Sequence, residues 1–187
     1  MDPDSIIVRV ANDADSIYAQ EIVDETAHSA KLRGSGIAKR STESIINKMK
    51  EGKAVIALTT KGQWAGFSYI EIWSNGEFVS NSGLIVAPAY RGLGVAKRIK
   101  QCIFELSRIK YPAANIFSIT TGLAIMKMNT ALGFEPVTFN EITKEELFWK
   151  GCSSCVNYAT LQAKNCKNCF CTAMLYTVKK TPEQVID

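Results

Sequence analysis

The sequence lacks the features that mark membrane, secreted and nucleic-acid-binding proteins. No apolar run approaches the ~18 uninterrupted residues that would span a bilayer. The acidic segment Met1 to Ser5 has none of the basic, then apolar order of a secretory signal. The 22 Lys and Arg residues barely outnumber the 18 Asp and Glu residues, and they form no dense basic tract. We therefore expect a cytoplasmic protein with neither a membrane nor a nucleic-acid partner.

The chain also has no internal repeat and no low-complexity linker. Its 187 residues are 47% hydrophobic and 21% charged, which is ordinary for a soluble globular protein. A chain of this length can bury roughly two-thirds of its unfolded surface in one core. We expect one domain over residues 1–187, with a cysteine-rich insertion at about 141–171 before the last strand.

Hydrophobic periodicity and turn residues predict a mixed α/β order of elements. Strand-like runs are separated at Lys61-Gly62 and Ser74-Asn75-Gly76, which are typical hairpin sequences. The predicted strands are 5–10, 53–60, 63–73, 77–87, 115–120, 136–140 and 172–178. The predicted helices follow Asn12 (to about residue 30), Ser41 (to Gly52), Arg91 (to about residue 110, with Val95, Ile99, Ile103, Leu106 and Ile109 on its apolar side) and Gly122 (to about residue 132).

The most informative segment joins a strand to a long amphipathic helix. The strand ends at Pro88, and Arg91, Gly92 and Gly94 follow immediately before the helix. Backbone N–H groups at a helix start have no intrahelical partner, and glycines let a bulky anion approach them. The turn therefore suits a pyrophosphate, to which Arg91 would add charge-assisted hydrogen bonds. Read without its surroundings, the same Gly-x-Gly is equally compatible with a helix cap in a tight turn.

The turn fits the pattern Arg/Gln-x-x-Gly-x-Gly/Ala, and it resembles the coenzyme A pyrophosphate loop of the GNAT acyltransferase superfamily. The resemblance covers roughly residues 5–140 and the final strand. It implies a mostly antiparallel central sheet flanked by helices, with acetyl-CoA or another acyl-CoA as co-substrate. It also implies direct attack of a small-molecule primary amine on the thioester, without a covalent acyl-enzyme. The implied cofactor-binding residues are Leu84, Ile85, Val86, Arg91, Gly92, Leu93, Gly94, Val95 and Ala96.

Two residues are candidates for proton transfer. Glu71 is the first choice as proton acceptor because it lies next to the strand that would hold the cofactor, on a face shared with Tyr69 and Trp73. Those surroundings are of the kind that raise a carboxyl pKa. Glu71 is equally compatible with a solvated carboxylate, and Glu77 is the second choice. Asn129 stands where many GNAT enzymes carry a tyrosine proton donor, so either water protonates the leaving thiolate or Asn129 hydrogen-bonds the sulfur.

The basic loop after the first helix borders the acceptor site in this family. Arg33, Lys39 and Arg40 are candidate substrate-binding residues that would clamp carboxylates, although an exposed basic loop is equally compatible. The chain resembles a bacterial GNAT branch associated with arginine biosynthesis, which implies N-acylation of glutamate with an acetyl or succinyl donor. The alternatives are a non-catalytic acyl-CoA sensor and a protein or peptide N-acetyltransferase. A homodimer is compatible with either.

Five of the six cysteines lie between residues 152 and 171. Cys152 with Cys155 and Cys166 with Cys169 form two Cys-x-x-Cys pairs separated by ten residues. This spacing is compatible with a structural zinc site. We favour buried free thiols, because small cysteines often fill cores and a cytosolic protein is kept reduced. Redox or disulfide chemistry is the third alternative.

Overall fold

The computed structural model describes residues 6–32, 34 and 39–178. In chain order its strands and α-helices are β1 (Ile6–Val10), α1 (Ala19–Leu32), α2 (Thr42–Lys50), β2 (Ala54–Thr59), β3 (Trp64–Trp73), β4 (Phe78–Val86), α3 (Val95–Lys110), β5 (Asn115–Thr120), α4 (Leu123–Ala131), β6 (Glu135–Val137), α5 (Glu146–Lys150), α6 (Tyr158–Ala163) and β7 (Thr172–Tyr176).

Side-chain caps explain where the first helices begin. Asn12 accepts a hydrogen bond from the Ala14 N–H, and Asp15 accepts one from the Asn12 N–H, which starts a 3-10 segment at Asp13–Tyr18 that leads into α1. Ser41 Oγ accepts from the Ser44 N–H at 3.1 Å and starts α2. The predicted helix start after Ser41 is thus confirmed, whereas the turns after Asn12 are 3-10 and the α-helix begins at Ala19.

The strands form a seven-stranded sheet in the order β1-β2-β3-β4-β5-β7-β6. Neighbouring strands are antiparallel, with the exception of the parallel pair β4 and β5. This arrangement confirms the mixed α/β class and the mostly antiparallel sheet predicted from the sequence.

Three details of the sequence prediction were wrong. The strand predicted over 136–140 ends at Val137, because Thr138 and Glu141 form a capping box that starts a 3-10 turn at Phe139–Glu141. The helix predicted from Arg91 begins at Val95, after the glycine turn. Ile109, predicted on the buried side of that helix, is 77% exposed, because the buried stripe is centred on Ile99, Ile103 and Ser107 and the helical rotation turns Ile109 away from it.

The sheet is covered on both faces. On one face α3 packs against β1 to β4, and so closely that a Cβ at Gly66 would lie 2.6 Å from Ile99 Cδ1. On the other face Ile22 of α1 and Ile45 of α2 pack around Tyr69. A second buried cluster lies under the segment between β6 and β7, and its members are Phe117, Phe139, Ile142, Trp149, Leu161 and Ala173. Among the described residues, none of the helices is both long and apolar enough to cross a membrane.

Candidate active site

Strands β4 and β5 stop pairing part-way along their length. The gap between them, which begins after Ser80 and Phe117, is called the wedge. The two strands pair only where Phe78–Ser80 lies beside Asn115–Phe117, although β4 continues to Val86 and β5 to Thr120. Beyond that point β4 stays paired with β3, and β5 stays paired with β7. The backbone of β4 from Asn81 to Val86 therefore has no strand partner on its β5 side. Leu84, Ile85 and Val86, predicted to hold the pantetheine arm, lie on this edge, which is open to an added extended chain.

A β-bulge interrupts β4 at the same place. Phe67 pairs with Ile85 and Tyr69 with Ser82, so the single residue Ser68 lies opposite both Gly83 and Leu84. Gly83 has a φ of +64°, a conformation that side chains disfavour. A bulge leaves a backbone residue outside the hydrogen-bonded ladder. Gly83 and Leu84 therefore have no partner residue in the β3–β4 ladder.

The glycine turn lies at the end of β4 and opens onto free space. Gly92 and Gly94 have φ values of +79° and +76°, and a Cβ built on either would meet no atom within 4 Å. Gly94 is the N-cap of α3, and no side chain caps the helix. The first N–H groups of α3 are therefore accessible to an anion, with Val95 buried beneath them. Gly92, Leu93, Gly94 and Ala96, the predicted diphosphate-binding residues, form this turn and the first turn of α3.

Arg91, the predicted partner of the diphosphate, is hydrogen-bonded to α1 and β4 in this structure. Its guanidinium donates hydrogen bonds to Glu25 and Ser29 of α1, each at 2.7 Å, and to the Val86 carbonyl at 3.1 Å. Arg91 therefore ties α1 to the end of β4. The sequence analysis missed Glu25 and Ser29, since no local pattern connects them with the turn.

The opposite face of the sheet carries a small pocket beside the bulge. Arg40 hydrogen-bonds the Tyr69 hydroxyl through Nε, and its guanidinium lies 5.8 Å from the centre of the Tyr69 ring. Gly83 and Thr26 complete the same pocket. Burial raises the pKa of Tyr69, which keeps the hydroxyl protonated, and the Arg40 charge opposes that rise.

Lys39, another predicted substrate-binding residue, does not line this pocket. Lys39 is exposed, and its backbone N–H donates to Ser154 Oγ in the segment between β6 and β7 at 3.0 Å. Arg33 lies outside the described residues. Of the two described basic residues that the sequence singled out, Arg40 lines the pocket and Lys39 does not.

The predicted proton acceptor and proton donor occupy different surroundings. Glu71 lies on β3 opposite Ser80, and its carboxylate forms an ion pair with Lys48 of α2. Asn129 of α4 is fully buried, with Nδ2 3.5 Å from Met174 Sδ and with Oδ1 lacking a hydrogen-bond partner. Glu71 is half-buried on the pocket side, whereas Asn129 is packed into the core.

Sequence reasoning missed Lys100, which is only 2% exposed. Its Nζ lies 3.4 Å from Asn81 Oδ1 and 5.0 Å from the centre of the Phe134 ring. Burial lowers the pKa of Lys100 to about 7. Its position in the helix could have indicated this burial. Ile103 and Ser107, three and seven residues later, lie on the same buried side of α3.

The cysteine-rich segment contains free thiols. The six cysteines of the chain are unpaired and half-buried. Within the described residues, no three or more His, Cys, Asp or Glu side chains are grouped so as to hold a metal ion, so the zinc hypothesis for Cys152, Cys155, Cys166 and Cys169 gains no support. Burial is the main cause that raises the pKa of Cys152 to about 11 and that of Cys171 to about 12. Protonated thiols are therefore favoured at neutral pH.

Comparison with solved structures assigns the fold. No family model and no curated protein sequence matches the chain. N-acetylglutamate synthase from Neisseria gonorrhoeae, complexed with coenzyme A and N-acetyl-glutamate, matches 94% of this chain at 14% identity with a TM-score of 0.64. The chain spans 35% of the length of that protein.

Two further structures match over most of their own length. A GNAT-family acetyltransferase from Listeria monocytogenes matches 71% of this chain and 87% of its own, with 17% identity and a TM-score of 0.56. The yncA protein from Salmonella typhimurium, with its cofactor acetyl-CoA, matches 95% of this chain and 96% of its own, with 14% identity and a TM-score of 0.64. The chain therefore has the fold of the GNAT acetyltransferases.

Proposed function

We propose that the protein transfers an acyl group from acyl-CoA to the primary amine of a small molecule. The observation that carries the proposal is the continuity of three features along β4: the unpaired edge, the bulge and the uncapped start of α3. The amides at Gly92 to Gly94 would hold the diphosphate. The edge at Leu84 to Val86 would bind the pantetheine amides as an added strand does.

The chemistry follows from what lies beside that edge. A neutral amine attacks the thioester carbonyl, the C–N bond forms, the C–S bond breaks, and the nitrogen loses one proton. The backbone N–H at the Gly83 bulge would stabilise the negative charge that develops on the carbonyl oxygen. Glu71 remains our candidate acceptor for the amine proton, because it lies two residues along β3 from Tyr69, on the pocket side. Its ion pair with Lys48 orients the carboxylate.

The pocket at Arg40 supports an acceptor that carries a carboxylate. A guanidinium and a protonated phenol hydroxyl are both hydrogen-bond donors that suit such a group. Arg40 and Tyr69 present these two donors side by side, next to Gly83 of the bulge. Glutamate is therefore our first candidate acceptor. The complex of N-acetylglutamate synthase with N-acetyl-glutamate, a protein of the same fold, supports this choice.

The deciding experiment measures free thiol released from acetyl-CoA and from succinyl-CoA across a panel of amines that includes glutamate. We expect release with an acidic amino acid and none with its N-methylated or N-acetylated form. If both donors bind but no amine releases thiol, the protein is an acyl-CoA sensor. The burial of Asn129, which leaves the thiolate without a donor from α4, favours that second candidate.

A binding measurement tests the diphosphate site separately. Acetyl-CoA should raise the melting temperature, and Gly92→Asp should abolish that rise by placing a carboxylate against the diphosphate. Gly76→Asp is the matched control, since Gly76 also has a positive φ and open space around its Cβ but lies in the β3–β4 hairpin. If acetyl-CoA raises the melting temperature of Gly92→Asp as much as that of the wild type, the diphosphate does not bind at this turn.

A further inference from the structure

Lys100 is a buried amine without a carboxylate partner in the described part of the chain. The groups that pack against it are the Asn81 amide and the Phe134 ring, neither of which titrates. Two charged side chains of neighbouring elements have other partners: Arg108 lies over the Tyr176 ring, and Glu71 pairs with Lys48. Burying an amine in this way costs free energy, so such groups are concentrated at functional sites.

The amine lies at the closed end of the wedge. Asn81 is the first residue of β4 beyond the segment that pairs with β5. Its amide is held from the α3 side, because Nδ2 donates to Ser107 Oγ at 2.8 Å while Oδ1 faces Lys100 Nζ at 3.4 Å. Phe134, on the other side of the amine, follows α4 and contacts Tyr176 of β7. Lys100 thus spans from α3 to the point where the two halves of the sheet separate.

The buried residue of α4, Asn129, cannot supply a proton there. Asn129 is an amide, which does not act as an acid near neutral pH, and its side chain is packed against Met174. A thiolate that leaves at the closed end of the wedge would therefore meet the Lys100 amine as the titratable donor on the α3 side.

We propose that Lys100 donates a proton to the thiolate sulfur as the C–S bond breaks. This inference rests on the proposed acyl transfer. The sulfur keeps the electron pair of the broken bond and takes the proton from the Lys100 ammonium, so coenzyme A leaves as the thiol. Neutral Lys100 then takes up one proton from solvent. The proton that the acceptor amine gave to Glu71 returns to solvent, so the overall reaction consumes and releases no net proton.

The acidity of the buried amine suits this step. Burial lowers the pKa of Lys100 to about 7. An ordinary thiol has a pKa of about 8 to 9, so proton transfer from the ammonium to the thiolate is favourable. Enough of the amine remains protonated near neutral pH to supply the proton.

The test compares Lys100→Met and Lys100→Arg with the control Lys110→Met, which removes an exposed lysine from the same helix. Three quantities are measured for each: the melting-temperature rise with acetyl-CoA, kcat for thiol release, and the pH dependence of kcat. We expect both Lys100 variants to keep the rise with acetyl-CoA and to lose about 100-fold in kcat. The descending alkaline limb of the wild-type profile should be missing in Lys100→Met, and Lys110→Met should behave as wild type.

The outcomes separate the two proposals. If the wild-type protein releases no thiol with any amine, the proposed function fails. If the wild type is active and Lys100→Met keeps its kcat and alkaline limb, only the role of Lys100 fails. A folded Lys100→Met that no longer binds acetyl-CoA would make the amine a binding group, and acylated Lys100 in the mass spectrum would make it a nucleophile. Either result overturns proton donation.

Discussion

Replacement of Lys100 by methionine should make the protein more stable at neutral pH, by an amount that shrinks as pH rises. The pKa of Lys100 is about 7 in the folded chain and near 10.5 in the unfolded chain. Between those values the unfolded state binds more protons than the folded state, so the stability of the wild type increases with pH. Below about pH 7 both states are protonated, and the full cost of burying the ammonium is present.

The size of the effect follows from the pKa difference. A fall from 10.5 to about 7 corresponds to about 5 kcal/mol, at about 1.4 kcal/mol per pKa unit. Roughly 2 kcal/mol of this cost disappears between about pH 7 and pH 9. Methionine has a similar length and no charge to desolvate, so its contribution stays constant. The difference in unfolding free energy between Lys100→Met and the wild type should narrow by about that amount over this range.

Urea denaturation of both proteins at several pH values measures this difference. Other titrating groups are common to the two proteins and largely cancel, and Lys110→Met controls for the loss of an exposed positive charge. A difference that stays flat from about pH 6 to pH 9 would show that the amine is hydrated in the folded protein. That result would refute both the burial and the proton donation argued from it.

The remaining predictions concern the bulge, the pocket and the thiols. Gly83→Ala should lower the free energy of unfolding, measured by urea denaturation, by about 1 to 3 kcal/mol, because a Cβ at its φ of +64° would meet the Tyr69 ring. An unchanged free energy of unfolding would show that the bulge does not require glycine at this position. Arg40→Met should raise KM for an acidic acceptor about 10- to 100-fold, whereas Lys39→Met should leave it unchanged. If Arg40→Met has the KM of the wild type, the acceptor carboxylate does not bind at Arg40. Glu71→Gln should lower kcat about 100-fold without changing acetyl-CoA binding, and an unaltered kcat would exclude Glu71 as the base. Iodoacetamide should label Cys152 slowly at neutral pH and faster as pH rises toward its pKa of about 11, whereas stoichiometric zinc on untagged protein would overturn the free-thiol interpretation.

Local signals predicted the order of elements because each depends on residues close together in the chain. The side-chain oxygens of Asn12 and Ser41 cap the helical segments that begin next to them, so the sequence was sufficient to predict both caps. The strand predicted beyond Val137 failed for a similarly local reason, since Thr138 and Glu141 form a capping box that the apolar pattern does not show. Ile109 was predicted on the apolar side of α3, but packing against the sheet centres the buried stripe on Ile99, Ile103 and Ser107 and leaves Ile109 exposed.

The sequence by itself determined the order of strands and helices along the chain and the glycine turn before α3, because hydrophobic period, hairpin residues and glycines act over a few positions. Only the tertiary structure decided that β4 and β5 separate after Ser80, that Arg91 binds Glu25 and that Lys100 is buried beside Asn81. These contacts join residues far apart in sequence, and their free energies depend on how whole elements pack. Proton chemistry at the wedge is therefore a property of the assembled fold.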